Sequence, residues 1–171
     1  MNAQTYHDLV VPAAARFFPA SFNSLEARAL VIAIGLQESE FKHRRQLVRG
    51  FRDWWKSVTT PAAGFQQFER IGISEVLRHN ASRRMALAVL EQFGYPEDVD
   101  TIHEALVHND LLCAVWARLA LWRHPDPLPG EHEQERAWRY YLHIWAPGIP
   151  HPEKWEACWR EAWRIVKAGA K

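Results

Sequence analysis

Residues 25–41, Leu25-Glu26-Ala27-Arg28-Ala29-Leu30-Val31-Ile32-Ala33-Ile34-Gly35-Leu36-Gln37-Glu38-Ser39-Glu40-Phe41, decide how this chain folds. From Ala29 to Leu36 every residue is apolar or glycine, so a helix there has no polar face to turn to water and belongs in the middle of a domain. Asn23-Ser24-Leu25-Glu26 resembles a capping box, which places the helix start near Asn23 and its end near Phe41. A carboxyl group closes the run. Val31, Ile34 and Gly35 precede Glu38 by seven, four and three residues, and Phe41 follows it by three, so in a helix all share one face. Burial on such a stripe disfavours the charged carboxylate and raises its pKa, as a general acid near neutral pH requires. Periodicity by itself favours a plainer reading, in which Glu38 marks the solvent-exposed end of a buried helix.

Outward from this helix the chain alternates helical stretches with Pro, Gly and Asn punctuation and shows almost no strand alternation. A first helix is expected from Thr5 to Phe18, stopping near Pro19. Gln46 to Gly64 is irregular. Helical pattern resumes after Phe65 and from Ser82 to Phe93, with a turn at Gly94-Tyr95-Pro96. Thr101-Ile102-His103-Glu104 reads as a second capping box, and its helix breaks at Asn109-Asp110. A longer helix carries Leu112, Val115, Trp116, Leu119 and Trp122 on one stripe. Two last helices, Glu131 to Trp145 and Pro152 to Lys167, flank the Pro147-Gly148-Ile149-Pro150 turn. The expectation is an all-α fold, one domain of seven or so helices.

At 171 residues the chain is long enough for one sizeable core and short for two. A formal net charge of +1 offers no overall field for nucleic acid or an anionic membrane. The local clusters Lys42-His43-Arg44-Arg45 and Arg83-Arg84 read first as solvated helix faces. Cys113 and Cys158 have neither disulfide-framework nor metal spacing, and the nine histidines form no ligand motif, so no metal and no cofactor are expected. No signal peptide is recognisable at the N-terminus, where Pro12 interrupts the only apolar candidate, and no stretch is long enough to span a bilayer. Synthesis in a reducing cytoplasm without stable membrane insertion follows as the expectation.

Leu36-Gln37-Glu38-Ser39-Glu40-Phe41 resembles the Glu-Ser motif of lytic transglycosylases, in which the Glu is catalytic and ends a buried helix. Pro61-Ala62-Ala63-Gly64-Phe65-Gln66-Gln67 is similar to that family's Gly-Ala-x-Gly-Leu-Met-Gln motif, with Pro61 in place of the first Gly and Gln66 in place of Met. The resemblance implies that Gly64, Phe65 and Gln67 form a cleft wall facing Glu38, with Ser39 and Gln67 at the substrate. A third family element, an aromatic helix with Tyr-Asn-x-Gly, has its only counterpart in Ala137-Trp138-Arg139-Tyr140-Tyr141 with Trp145-Ala146-Pro147-Gly148. Tyr140 or Tyr141 then approaches the catalytic Glu. The same segments also resemble lysozyme-like proteins of tailed bacteriophages.

What the resemblance implies is a lysozyme-like helical domain that cleaves the β-1,4 bond of bacterial peptidoglycan. Its place of action would be the cell wall, as a virion component or a phage lysis protein. Hydrolysis normally takes two carboxylates. Glu40 points elsewhere from Glu38 on a helix, and the candidate partner is Glu69 or an Asp that no motif marks, although a surface position on the following helix suits Glu69 better. Without a second acid, the transglycosylase route is preferred, one carboxylate acting twice and leaving a 1,6-anhydro end. Trp54 and Trp55 fall between the two motifs, where one of them reaches substrate or neither does. Trp155, Trp159 and Trp163 recur at four-residue spacing and read as core, as do Trp116 and Trp122. His43, Arg44 and Arg45 meet substrate carboxylates or end the helix in solvent. A non-catalytic phage structural or wall-binding protein is the alternative of another class.

Overall fold

A computed structural model describes residues 1–45 and 61–169, and these form a mostly helical fold. Helix α1 joins three consecutive stretches, Ala3–Thr5, a π-helical turn Tyr6–Val10, and Val11–Ala15. The π turn has a local cause. Pro12 has no N–H for the carbonyl of Asp8 and its ring crowds that carbonyl, so the helix widens there and Val11 N–H bonds to Tyr6 O instead. Helix α2 spans Leu25–Ser39, α3 Arg70–Arg78, α4 Asn80–Phe93, α5 Val99–His108, α6 Asp110–Trp122, α7 Gln134–Trp145 and α8 Pro152–Ala168. Strands β1 (Ala62–Ala63) and β2 (Phe68–Glu69) pair antiparallel, Ala62 with Glu69 and Ala63 with Phe68.

Helix α2 is the axis of the molecule. Ala29, Leu30, Ile32, Ala33 and Ile34 have no exposed surface, and the helix packs most extensively against α8. Removing a side chain such as Leu30 would cost about 2–5 kcal/mol. One cluster of buried side chains draws on all eight helices, with Trp116, Trp155, Trp159 and Trp163 inside it. The four-residue Trp spacing of α8 is therefore a packing face. Trp155 and Trp159 also donate their indole N–H to Gln134 O and Glu131 O, which ties α8 to the start of α7.

Several expected boundaries shift, three of them for identifiable reasons. Ser24 is the N-cap of α2, accepting from Ala27 N, while Asn23 accepts instead from Arg28 Nε. Asp98 caps α5 ahead of Thr101, whose N–H it accepts at 2.7 Å. Most consequentially, α2 stops at Ser39. Glu40 and Phe41 both take left-handed backbone, φ 52° and 55°, and reverse the chain. The driving force is the Phe41 ring, 1% exposed, which folds back onto Gly35 and packs 4.8 Å from Tyr6 and 5.2 Å from Phe65. A Cβ on Gly35 would stand 2.3 Å from that ring. Gly35 is a socket for Phe41, and Phe41 is not on the helical face that carries Glu38.

Candidate active site

Glu38 opens from the last turn of α2 into a cleft of about 710 Å³. The β1–β2 hairpin (Ala62, Gln67, Phe68, Glu69) forms one wall. Tyr141 to Ala146 at the end of α7 and the turn Pro147 to His151 form the other. Tyr141 lies 103 residues away in sequence and donates its hydroxyl to Glu38 Oε1 at 2.5 Å. Desolvation is the largest influence on this carboxyl and pushes it up to about 7. The Tyr141 hydrogen bond favours the ionised form and opposes that rise. Glu69, a like charge across the cleft, adds to it, and His151 counters. Tyr141 is itself driven well above the ordinary tyrosine range, first by burial and then by Glu38, so its hydroxyl stays a donor.

The hairpin is fixed to the Glu38 end of α2 by Ser39. Its hydroxyl donates to Phe65 O at 2.7 Å, contacts Gly35 O at 3.2 Å and accepts from Phe41 N. This is what an Oγ next to Glu38 accomplishes: it joins the helix end to the loop opposite. Gly64, φ 74°, takes a conformation L side chains resist, and a Cβ there would lie 2.4 Å from Cys113 Sγ. Phe65 has no exposed surface and lies under the Arg44 guanidinium at 4.3 Å. Ser39, expected at the substrate, and Gly64 and Phe65, expected in the cleft wall, thus stand behind the wall and shape it; none of the three is among the described residues that line the cleft. Gln67 does line it. Its backbone is left-handed, φ 50°, and its amide N is occupied by Gly64 O at 2.7 Å and His43 O at 3.3 Å.

The choice between the two tyrosines is resolved by their hydroxyls. Tyr140 turns away, giving its O–H to Leu121 O at 2.8 Å and stacking on His124 at 4.0 Å, while Tyr141 takes Glu38. Trp54 and Trp55 lie outside the described residues. Glu69 is exposed and lines the cleft opposite Glu38. In the basic cluster Lys42 and His43 are exposed just past the helix end, as a solvated end would have them, while Arg44 and Arg45 are tied down, and none of the four lines the cleft. Arg44 makes a two-point ion pair with Asp110 at 2.8 and 2.7 Å, and Arg45 pairs with Glu104. Their backbone joins the hairpin, Arg45 bridging Ala63 and Gly64 N donating to Arg44 O. Arg83 likewise pairs with Glu97.

Several residues at the site escape a reading by periodicity or motif. Gln66, at the position where the resembled motif has Met, is fully buried. It accepts from Cys113 Sγ at 2.9 Å and Tyr6 Oη at 3.4 Å, and its backbone oxygen accepts from Trp145 Nε1 at 2.8 Å. It therefore fastens the hairpin to both the core and the opposite wall. Burial carries the Cys113 thiol up to about 12, so it is a packed donor without nucleophilic character. Gln37 donates to His151 O at 3.0 Å and holds the Pro147–Pro150 turn over the cleft. The signal for Trp145 was present in its Ala-Pro-Gly context; for Gln37 and Gln66 there was none, since their partners are distant in sequence. Among the described residues no group of three His, Cys, Asp or Glu side chains is arranged to hold a metal ion. No helix among them is long and apolar enough to cross a membrane.

No protein-family model, no curated protein and no solved structure matches this chain at a significant level.

Proposed function

We propose that this chain is a lysozyme-like enzyme that cleaves the β-1,4 bond between N-acetylmuramic acid and N-acetylglucosamine in bacterial peptidoglycan, by the lytic transglycosylase route. The observation that carries the reading is a half-buried carboxyl with a pKa of about 7, held by a tyrosine hydroxyl inside an open cleft. A carboxyl in that state is protonated often enough to give a proton and ionised often enough to take one back.

In the first step Glu38 gives its proton to the bridging oxygen as the C1–O bond breaks, and the substrate's acetamido oxygen shields the electron-poor C1. In the second, the Glu38 carboxylate takes the proton of the C6 hydroxyl while O6 bonds to C1. The product is a 1,6-anhydro sugar, no water is consumed, and the carboxyl is ready for another cycle. Tyr141 steadies the charged form between the two steps. The cell wall is accordingly the place of action, as a virion component or a phage lysis protein.

A hydrolytic reading is favoured by one observation, the exposed Glu69 carboxylate near enough to Glu38 to raise its pKa. There Glu69 would activate a water on the far face of the sugar. Mass spectrometry of muropeptides released from purified sacculi tests both readings. Anhydro ends, lighter by one water than reducing ends, are the expected result, and reducing ends would move the assignment to a muramidase. A parent protein that releases nothing, or a Glu38→Gln variant that lyses walls as fast as the parent, would sink the enzymatic reading in favour of a wall-binding or structural role.

A further inference from the structure

The acid chemistry leaves two residues at the cleft unexplained. Five large hydrophobic side chains are exposed among the described residues: Met1, Leu9, Leu25, Ile71 and Ile149. The two most exposed, Ile71 at 68% and Ile149 at 78%, line this same cleft. Exposed apolar residues scattered singly are ordinary on a protein surface. The two extremes meeting at one cleft are not scattered, and such exposure places them at its mouth; the floor belongs to residues such as Tyr141 and Phe68, 2% and 3% exposed.

Both are held rigidly. Ile71 is the second residue of α3, two beyond Glu69. Ile149 sits in a turn between Pro147 and Pro150. That turn is anchored on one side by Trp145 Nε1 to Gln66 O and on the other by Gln37 Nε2 to His151 O. Proline and the two anchors remove the freedom that a contact would otherwise have to freeze. Beside Ile149 at the same rim stands Lys154, an exposed cation on the first turn of α8. A ligand for this rim has methyl-sized apolar groups, sets negative charge against Lys154 and clear of the exposed Glu69 beside Ile71, and projects outward from whatever fills the floor.

We propose that Ile71, Ile149 and Lys154 bind the lactyl-linked stem peptides of the wall, so that the enzyme prefers peptide-bearing strands to bare glycan. This rests on the reading of the cleft as a peptidoglycan site. A glycan lying along the floor sends its lactyl ethers out past the rim, and the short peptides they carry are anionic and rich in alanine methyls. Naked glycan would leave both isoleucines in water. A lipid would bury the cleft carboxylates without hydrogen-bond partners.

The test uses Glu38→Gln protein, which keeps the cleft and does not consume its ligand, and measures binding to intact sacculi and to glycan strands stripped of peptide. Binding to sacculi should be tighter by roughly tenfold, the factor that about 1.4 kcal/mol of apolar contact supplies. Adding Ile71→Ser and Ile149→Ser should erase that preference and leave binding to stripped glycan unchanged. Both positions are exposed, so thermal melting should not move. Equal loss on both ligands, or no loss, overturns the inference while leaving anhydro product release by the parent intact. If the parent neither binds nor cleaves sacculi, the cleft assignment and this inference fall together.

Discussion

Replacing Glu38 by Gln should make this protein more stable, and only above acidic pH. The variant keeps the side chain's shape and an oxygen to accept from Tyr141, and removes the charge. In the native protein the carboxyl is moved from 4.5 to about 7. At about 1.4 kcal/mol for each pH unit, holding it ionised costs the native state about 3 kcal/mol. The direction follows from proton binding. Between 4.5 and 7 the folded chain binds this proton more tightly than the unfolded one, so stability falls as pH rises through that window. Below it both states are protonated and the residue contributes nothing; above it the full cost is present. Water in the open cleft screens part of the effect, so about 3 kcal/mol is the upper value. Urea denaturation of parent and variant from pH 4 to 8 should give coincident midpoints at the acid end and a variant advantage growing toward pH 8. In heat the advantage is at most on the order of 6–12 °C for a domain of this size. A difference that is flat with pH, or a variant weaker at pH 8, would refute the claim that the fold holds this carboxyl against its charge. Wall-cleaving activity should be lost in the same variant, which separates catalysis from stability.

Tyr141→Phe removes the hydrogen bond that favours the ionised carboxylate, so the alkaline limb of the activity profile should move to higher pH and the rate should fall about 10–100-fold. Tyr140→Phe, whose hydroxyl only meets Leu121 O, should cost about 1 kcal/mol of stability in denaturant and leave the pH profile in place. Glu69→Gln deletes the like charge across the cleft and should move the same limb to lower pH, a shift that shrinks with added salt. Anhydro products should persist in it, and a loss of activity near that of Glu38→Gln would make Glu69 the base of a hydrolase. Gly64→Ala asks a left-handed backbone at φ 74° to hold a Cβ 2.4 Å from Cys113 Sγ. A stability loss of about 2–4 kcal/mol by denaturant titration is expected, and a neutral variant would contradict the packing described for the hairpin.

The helices were legible in the chain because a helix is a local object. Apolar residues recurring at three and four, with Pro, Gly and Asn between the runs, are enough to place α2, α6, α7 and α8, and the unbroken apolar stretch from Ala29 to Ile34 announced which helix lies at the centre. The Glu38-Ser39 and Gly64–Gln67 stretches were visible as well. That they face one another was implied only by the resemblance; the Ser39–Phe65 bond that joins them lay beyond the sequence, because it links residues 26 positions apart and no periodicity reports a contact between a helix end and a hairpin.

The tertiary structure alone decided the chemistry of the carboxyl. Where α2 ends depends on Phe41 finding its socket at Gly35. Which tyrosine reaches Glu38 depends on how α7 lies against α8, and that rotates Tyr140 toward Leu121 and Tyr141 into the cleft. Glu38 is one letter in either description. Its pKa of about 7 is a sum over burial, a hydroxyl 103 residues away and two charges on other elements, and such a sum exists only once the chain has brought them together.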